Sequence, residues 1–129
     1  VEKFLPDHIK AVKESGHIVV WTCDPMHGNT KVTSSGVKTR YFNSIIEELS
    51  KVIHIHKNNA SKLNGVHFEL TGEGVTECIG GSMELSQVDL EQNYKTYCDP
   101  RLNYEQSLDV AFLIAKYCEK ERNESLPAL

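Results

Sequence analysis

The sequence predicts an α/β fold in which parallel strands alternate with crossover helices. Three observations predict it: short β-branched apolar runs at residues 17–23 and 65–71, helical apolar periodicity at residues 42–56 and 104–120, and a polar loop after each strand. A length of 129 residues with 40% hydrophobic and 25% charged content is ordinary for one globular domain.

Residues 6–15 begin with Pro6, suited to a first helical turn, and space Ile9, Val12 and Lys13 helically before Gly16, a C-cap residue. HIVVWTC at 17–23 is a nearly continuous apolar run, which predicts a strand buried on both faces. Asp24-Pro25 stops it. Residues 26–40 are rich in Gly, Ser, Thr and Asn and read as a long functional loop. Phe42, Ile45, Ile46, Leu49, Val52, Ile53 and His56 then mark one stripe of an amphipathic helix, closed by Asn58 and Asn59.

GVHFELT at 65–71 predicts a second strand, residues 72–82 a glycine-bearing loop, and residues 86–94 a weaker helix. A brief third strand is expected at 95–98 and a loop at 99–103. The final helix, 104–120, should bury Leu108, Ala111, Phe112, Ala115 and Cys118, with Asn103 as N-cap and Gln106 completing a capping box. Residues 119–129 are polar and unpatterned and are expected to fray. Three parallel strands make a poor domain alone. A closed barrel of this kind needs eight strand–helix units and about 250 residues, so residues 1–129 are expected to supply at most the last three.

The net charge of −4, from 14 basic and 18 acidic residues, lacks the cationic footprint that holds nucleic acid. Neither a bilayer-spanning apolar run nor a signal-peptide pattern is present, and the expected location is cytoplasmic, away from membranes. Cys23, Cys78, Cys98 and Cys118 are scattered without a CxxC pair and are expected as reduced thiols. The triplets at Asn59 and Asn123 match a glycosylation pattern that is meaningless outside a secreted context.

In a parallel barrel the reactive groups gather at the C-terminal ends of the strands. Each predicted strand end carries a candidate metal ligand: His27 after the first, Glu69 at the second, Asp99 after the third. One imidazole and two carboxylates suit a divalent first-row ion better than a structural thiolate zinc site. A lone ligand-type residue near a strand end is more often a cap or a solvated loop group. Gly72, Gly74, Gly80 and Gly81 spell no phosphate-cradling motif and are expected to serve turns at positive φ. His54 and His56, two apart on a helix, diverge and are expected on a half-buried surface. Lys38, Arg40 and Arg101 lie near the predicted mouth and could attract phosphates, although solvated charge is the plainer reading.

The blocks CDPMHGNT (23–30), GVKTRYF (36–42), HFELTGEGVTECIGG (67–81) and CDPRLNYEQSLDVAF (98–112) resemble, in order and spacing, those of class II, plant-type 3-deoxy-D-arabino-heptulosonate 7-phosphate (DAHP) synthases. The likeness runs through nearly the whole chain. It implies a (β/α)8 TIM barrel, of which residues 1–129 would be the C-terminal portion of a single domain, the N-terminal portion lying outside this chain. It also implies condensation of phosphoenolpyruvate with erythrose 4-phosphate, the first step of the shikimate route to aromatic amino acids. The implied cofactor is a divalent metal, manganese first, cobalt or another first-row ion second, acting as a Lewis acid on the aldehyde.

Carried over block by block, the implied metal ligands are His27, Glu69 and Asp99, with His27 also a catalytic residue. The family's fourth ligand, a cysteine of an early strand, and its phosphoenolpyruvate-gripping lysine and arginine residues match no segment here. The chain is therefore expected to be inactive alone, and the full-length protein to be a homo-oligomer. Cys98, beside Asp99, would approach the missing cysteine, so an oxidative cross-link is conceivable, but a buried inert thiol is commoner. Two other readings stand beside the synthase: a metal-dependent hydrolase using the same ligands, and a non-catalytic fragment that aggregates through its exposed sheet edge.

Overall fold

The computed structural model describes residues 1–125, and within them the chain folds as helices packed around short parallel strand pairings. Helix α1 spans Leu5–Ser15, with Pro6 in its first turn and Gly16 closing it at φ 71°. Left-handed backbone of this kind suits glycine, and it lets the Gly16 N–H reach the Lys13 carbonyl. Strand β1 is only Thr22–Cys23. The expected strand at 17–23 is thus cut to its last two residues, and the predicted burial is absent: Ile18 is 102% and Val20 78% exposed. No other described segment pairs with residues 18–20, so their apolar side chains have nothing to pack against.

The expected loop at 26–40 holds more structure than its composition suggests. A single 3₁₀ turn, His27–Asn29, leads into an antiparallel hairpin of β2 (Thr30–Val32) and β3 (Lys38–Arg40). Polar side chains make the turn between them, where Thr33 Oγ1 accepts the Val37 N–H at 3.1 Å. Helix α2, Phe42–Asn58, buries Phe42, Ile45, Leu49, Val52 and His56, the stripe its periodicity predicts. His56 is buried with Nδ1 2.9 Å from Ser61 Oγ, whereas His54 is exposed and caps its own helix backbone.

Strand β4, Gly65–Val66, pairs in parallel with β1, Thr22 opposite Gly65 and Cys23 opposite Val66. The rest of the expected strand runs on without a ladder until Leu70, which bridges in parallel to Leu102. That bridge, not residues 95–98, supplies the third parallel position. The expected strand at 95–98 does not form, because its amide donors are taken by the Glu77 carboxylate instead of by a neighbouring strand. The expected helix at 86–94 shrinks to a 3₁₀ turn, Gln87–Glu91, held by a Ser86–Asp89 capping box. Of the four glycines expected at positive φ, only Gly80 (91°) and Gly81 (85°) adopt it.

Helix α3 runs Tyr104–Ser125, longer than predicted, so residues 119–125 are helical and not frayed. The remainder of that expected tail, residues 126–129, lies outside the described residues. Its capping box is the predicted one: Asn103 Oδ1 accepts the Gln106 N–H at 2.9 Å and Gln106 Oε1 accepts the Asn103 N–H at 3.1 Å. The buried face is not the predicted one. Gln106 and Val110 are buried, with Ile114 and Tyr117 half-buried, while Leu108, Ala111, Phe112, Ala115 and Cys118 are exposed, Phe112 at 64%. The helix carries two apolar stripes, and the cap decides between them. Gln106 Nε2 donates to the Cys78 and Gly80 carbonyls, which turns its own side inward.

The core has two parts. Met26, Phe42, Ile45, Cys78, Leu102 and Val110 form one, Cys23, Leu49 and Val52 the other, and Phe68 and Ile114 pack against both. The candidate residues adjoin this interior: Met26 before His27 and Pro100 after Asp99 are fully buried, and Phe68 before Glu69 packs against both clusters. No helix among the described residues is long and apolar enough to cross a membrane.

Candidate metal centre

The first candidate ligand is set by its own turn. Asp24 Oδ1 accepts the N–H groups of Met26 (2.9 Å) and His27 (3.2 Å), bending the chain directly after β1. Asp24 Oδ2 then sits 2.6 Å from His27 Nδ1. A carboxylate there fixes the proton on Nδ1 and leaves Nε2 with its lone pair, the arrangement usual for a metal-binding imidazole. Burial alone would raise the Asp24 pKa, but hydrogen bonds from the Met26 and His27 N–H groups and the His27 ring outweigh it and hold the carboxyl below its ordinary value.

His27 Nε2 lies 3.5 Å from Glu69 Oε1. The other Glu69 oxygen, Oε2, accepts from Arg40 Nη1. The third candidate, Asp99, has its Oδ1 3.4 Å from Lys38 Nζ. His27, Glu69 and Asp99 each offer one ligand atom, and these atoms all lie within 4.8 Å of one another. Donors about 2.1 Å from a shared first-row ion stand about 3.0 to 4.2 Å apart. The observed spread therefore closes onto one ion with a shift of less than about an ångström, and the donor set fits a divalent cation.

A second grouping, Asp24, His27 and His67, meets the same distance condition with all three residues exposed. His27 and His67 stack, ring centroids 6.0 Å apart. Both groupings use His27, and Asp24 already engages its Nδ1, so the trio drawn from three segments far apart in sequence, two of its members half-buried, is the better candidate.

The loop bearing Asp99 hangs on Glu77, which is fully buried. Glu77 Oε1 accepts the N–H groups of Lys95 (3.2 Å) and Thr96 (2.9 Å), and Oε2 accepts that of Arg101 (2.8 Å). The Arg101 guanidinium binds both oxygens through Nε (3.0 Å) and Nη2 (2.7 Å). Burial raises the Glu77 pKa, but the Arg101 side chain and N–H together with the Lys95 N–H overcome it, so the net shift is downward. Thr96 Oγ1 donates to the Asp99 carbonyl at 2.9 Å, which completes the brace.

Of the three mouth-side cations noted in the sequence, none is simply solvated. Lys38 faces Asp99, Arg101 is spent on Glu77, and Arg40 is wholly buried. The thiols divide into two kinds. Burial, ahead of the nearby Glu48 and Asp24 charges, pushes Cys23 up to about 11, and burial pushes Cys78 up to about 12, while Cys98 and Cys118 are exposed. The expectation of an inert buried Cys98 therefore does not hold in this structure.

The model of the Class-II DAHP synthetase family matches residues 1–115, a span that contains all three candidate ligands. The chain belongs to that family. Among curated relatives it is similar to phospho-2-dehydro-3-deoxyheptonate aldolase of Neurospora crassa, 51% identical over 126 residues, which cover 96% of this chain and 26% of the relative. The corresponding proteins of Mycolicibacterium smegmatis (48% over 116 residues; 90% of this chain, 25% of the relative) and Streptomyces coelicolor (49% over 112; 87% and 25%) are similar in the same way. The chain thus spans about a quarter of the length of the class II relatives it matches.

Sequence reading named His27, Glu69 and Asp99 as candidate ligands, and the structure brings their donor atoms together; it gave no role at the site to Asp24 or Glu77, and it took Arg40 for a mouth-side cation and not for a buried one. Asp24 left a trace, since an Asp three residues before a His can reach back to the ring. The burial of Arg40 and of Glu77 left none, because burial of a charge is decided by partners far along the chain.

Proposed function

We propose that this chain is the metal-binding part of a class II DAHP synthase, completed by other segments into a (β/α)8 barrel that condenses phosphoenolpyruvate with erythrose 4-phosphate to give DAHP and phosphate. The observation that carries the reading is the convergence of the His27, Glu69 and Asp99 donors within 4.8 Å, from three segments far apart in sequence. Family membership and the parallel pairing of β1 with β4 support it.

His27, Glu69 and Asp99 would hold the ion, manganese being the reading carried from the family and supported by the nitrogen and oxygen donor set. A divalent ion bound there supplies Lewis acidity toward a carbonyl oxygen. The protein's own part is orientation. Asp24, bonded to His27 Nδ1, orients the ring so that Nε2 faces Glu69, and two carboxylates would offset a dication's charge. Lys38, beside Asp99 and half-exposed, would offer a cation to a phosphorylated substrate.

The test is made in the complete enzyme. His27→Ala, Glu69→Ala and Asp99→Ala should each abolish metal-dependent consumption of phosphoenolpyruvate in the presence of erythrose 4-phosphate. Ordinary turnover and metal affinity in any of them would remove that residue from the ligand set. Phosphate released from phosphoenolpyruvate without the sugar phosphate would favour a hydrolase instead.

A further inference from the structure

Three segments carry the candidate ligands, and one side chain touches all three. Arg40, at the end of β3, is 0% exposed. Its Nε donates to Thr30 Oγ1 at 3.0 Å, and the Thr30 N–H in turn closes the turn of His27 by donating to the His27 carbonyl. Arg40 Nη1 donates to Glu69 Oε2 and to the carbonyl of Pro100, the residue after Asp99. Nη2 has no partner among the described residues.

We propose that Arg40 is the positioning residue of this metal centre, its buried guanidinium locking the His27, Glu69 and Asp99 segments into one arrangement. The inference rests on the ligand reading above. A guanidinium is planar, with donors at fixed angles and a charge that proteins cannot remove. Acceptors from three segments bound to one rigid plane cannot drift independently. By taking Glu69 Oε2, Arg40 also leaves Oε1 as the oxygen facing His27 Nε2. A lysine, with a single nitrogen on a flexible stem, cannot reproduce that fork.

The sign of the effect separates positioning from simple charge. Arg40 places a positive charge beside a cation site, so by Coulomb's law alone its removal should tighten metal binding. Positioning predicts the reverse. In the complete enzyme, stripped of metal and titrated with Mn²⁺ alone by electron paramagnetic resonance, Arg40→Met and Arg40→Lys should each bind about 10- to 100-fold more weakly, the range for lost outer-shell partners. Bound Mn²⁺ should also show a broadened, changed spectrum. Leu49→Ala, in the core of α2, serves as the control: it lowers stability but should leave Mn²⁺ affinity and spectrum unchanged.

Unchanged or tighter binding in Arg40→Met, or full rescue by Arg40→Lys, overturns the proposal. If both variants fail to fold, Thr30→Val decides. It deletes only the acceptor of Nε and should weaken Mn²⁺ binding several-fold, and wild-type affinity there would equally overturn the proposal. His27→Ala is titrated in parallel. Its loss of Mn²⁺ binding keeps the ligand reading standing whatever Arg40 does, and its retention of binding would sink that reading first.

Discussion

Replacing Glu77 with alanine should release the loop that carries Asp99 while leaving the rest of the fold in place. The carboxylate accepts three backbone N–H groups, from Lys95, Thr96 and Arg101. At about 1 kcal/mol net for each such bond, their loss costs about 3 kcal/mol. The Arg101 guanidinium, with a side chain 33% exposed, can rehydrate, so its two contacts add at most about 1 kcal/mol. Hydrogen exchange followed by mass spectrometry on a peptide spanning residues 95–101 measures the local opening directly. A loss of about 3 to 4 kcal/mol means roughly two to three powers of ten less protection. Glu77→Gln, which keeps the volume and one acceptor, should lose about half that free energy. Exchange at Thr96 and Arg101 within threefold of the unaltered protein would refute the idea that Glu77 holds this loop. The pH dependence follows from the downward shift of Glu77. A depressed carboxyl contributes fully above its unfolded pKa of about 4.3, and the contribution is lost as pH falls through the lower folded value. Protection of the loop should therefore decline below about pH 4.3 in the unaltered protein and stay flat there in Glu77→Gln.

Two further outcomes are expected. Asp24→Asn in the complete enzyme should weaken Mn²⁺ binding about tenfold, because the amide no longer enforces the Nδ1-protonated form of His27, and equilibrium titration checks it. Gly81→Ala should cost about 2 kcal/mol, since φ is +85° and a Cβ would stand 2.8 Å from Gln106 Cγ, whereas Gly74→Ala, with nothing within 4 Å, should be nearly neutral. Exchange protection in the first turn of α3 distinguishes the pair.

Helices were legible in the sequence because their signals are local. The stripe of α2 and the Asn103–Gln106 box are spelled within a few residues and fold as spelled. Strands were less so. Residues 18–20 have strand chemistry, but a strand needs a neighbour, and none of the described residues lies beside them. At 95–98 the neighbour's role passed to a single carboxylate 18 residues upstream of Lys95, which no periodicity can announce. For α3, two apolar stripes competed, and the choice rested on where the Gln106 amide found carbonyls. The candidate ligands were named from their blocks, and the fold brings their donor atoms together. Asp24, Arg40 and Glu77, which support them, act through geometry that only the folded chain creates.

Segments laced into a sheet inherit its register, so a one-residue insertion throws every side chain onto the wrong side. Asp99 is spared that rule, because its loop is tethered to the Glu77 carboxylate and not to an adjoining strand. The stretch before that loop is anchored separately, by buried Leu90 and by the Ser86–Asp89 capping box. The position of the Asp99 carboxylate is thereby set by one buried side chain and not by the count of residues along a ladder.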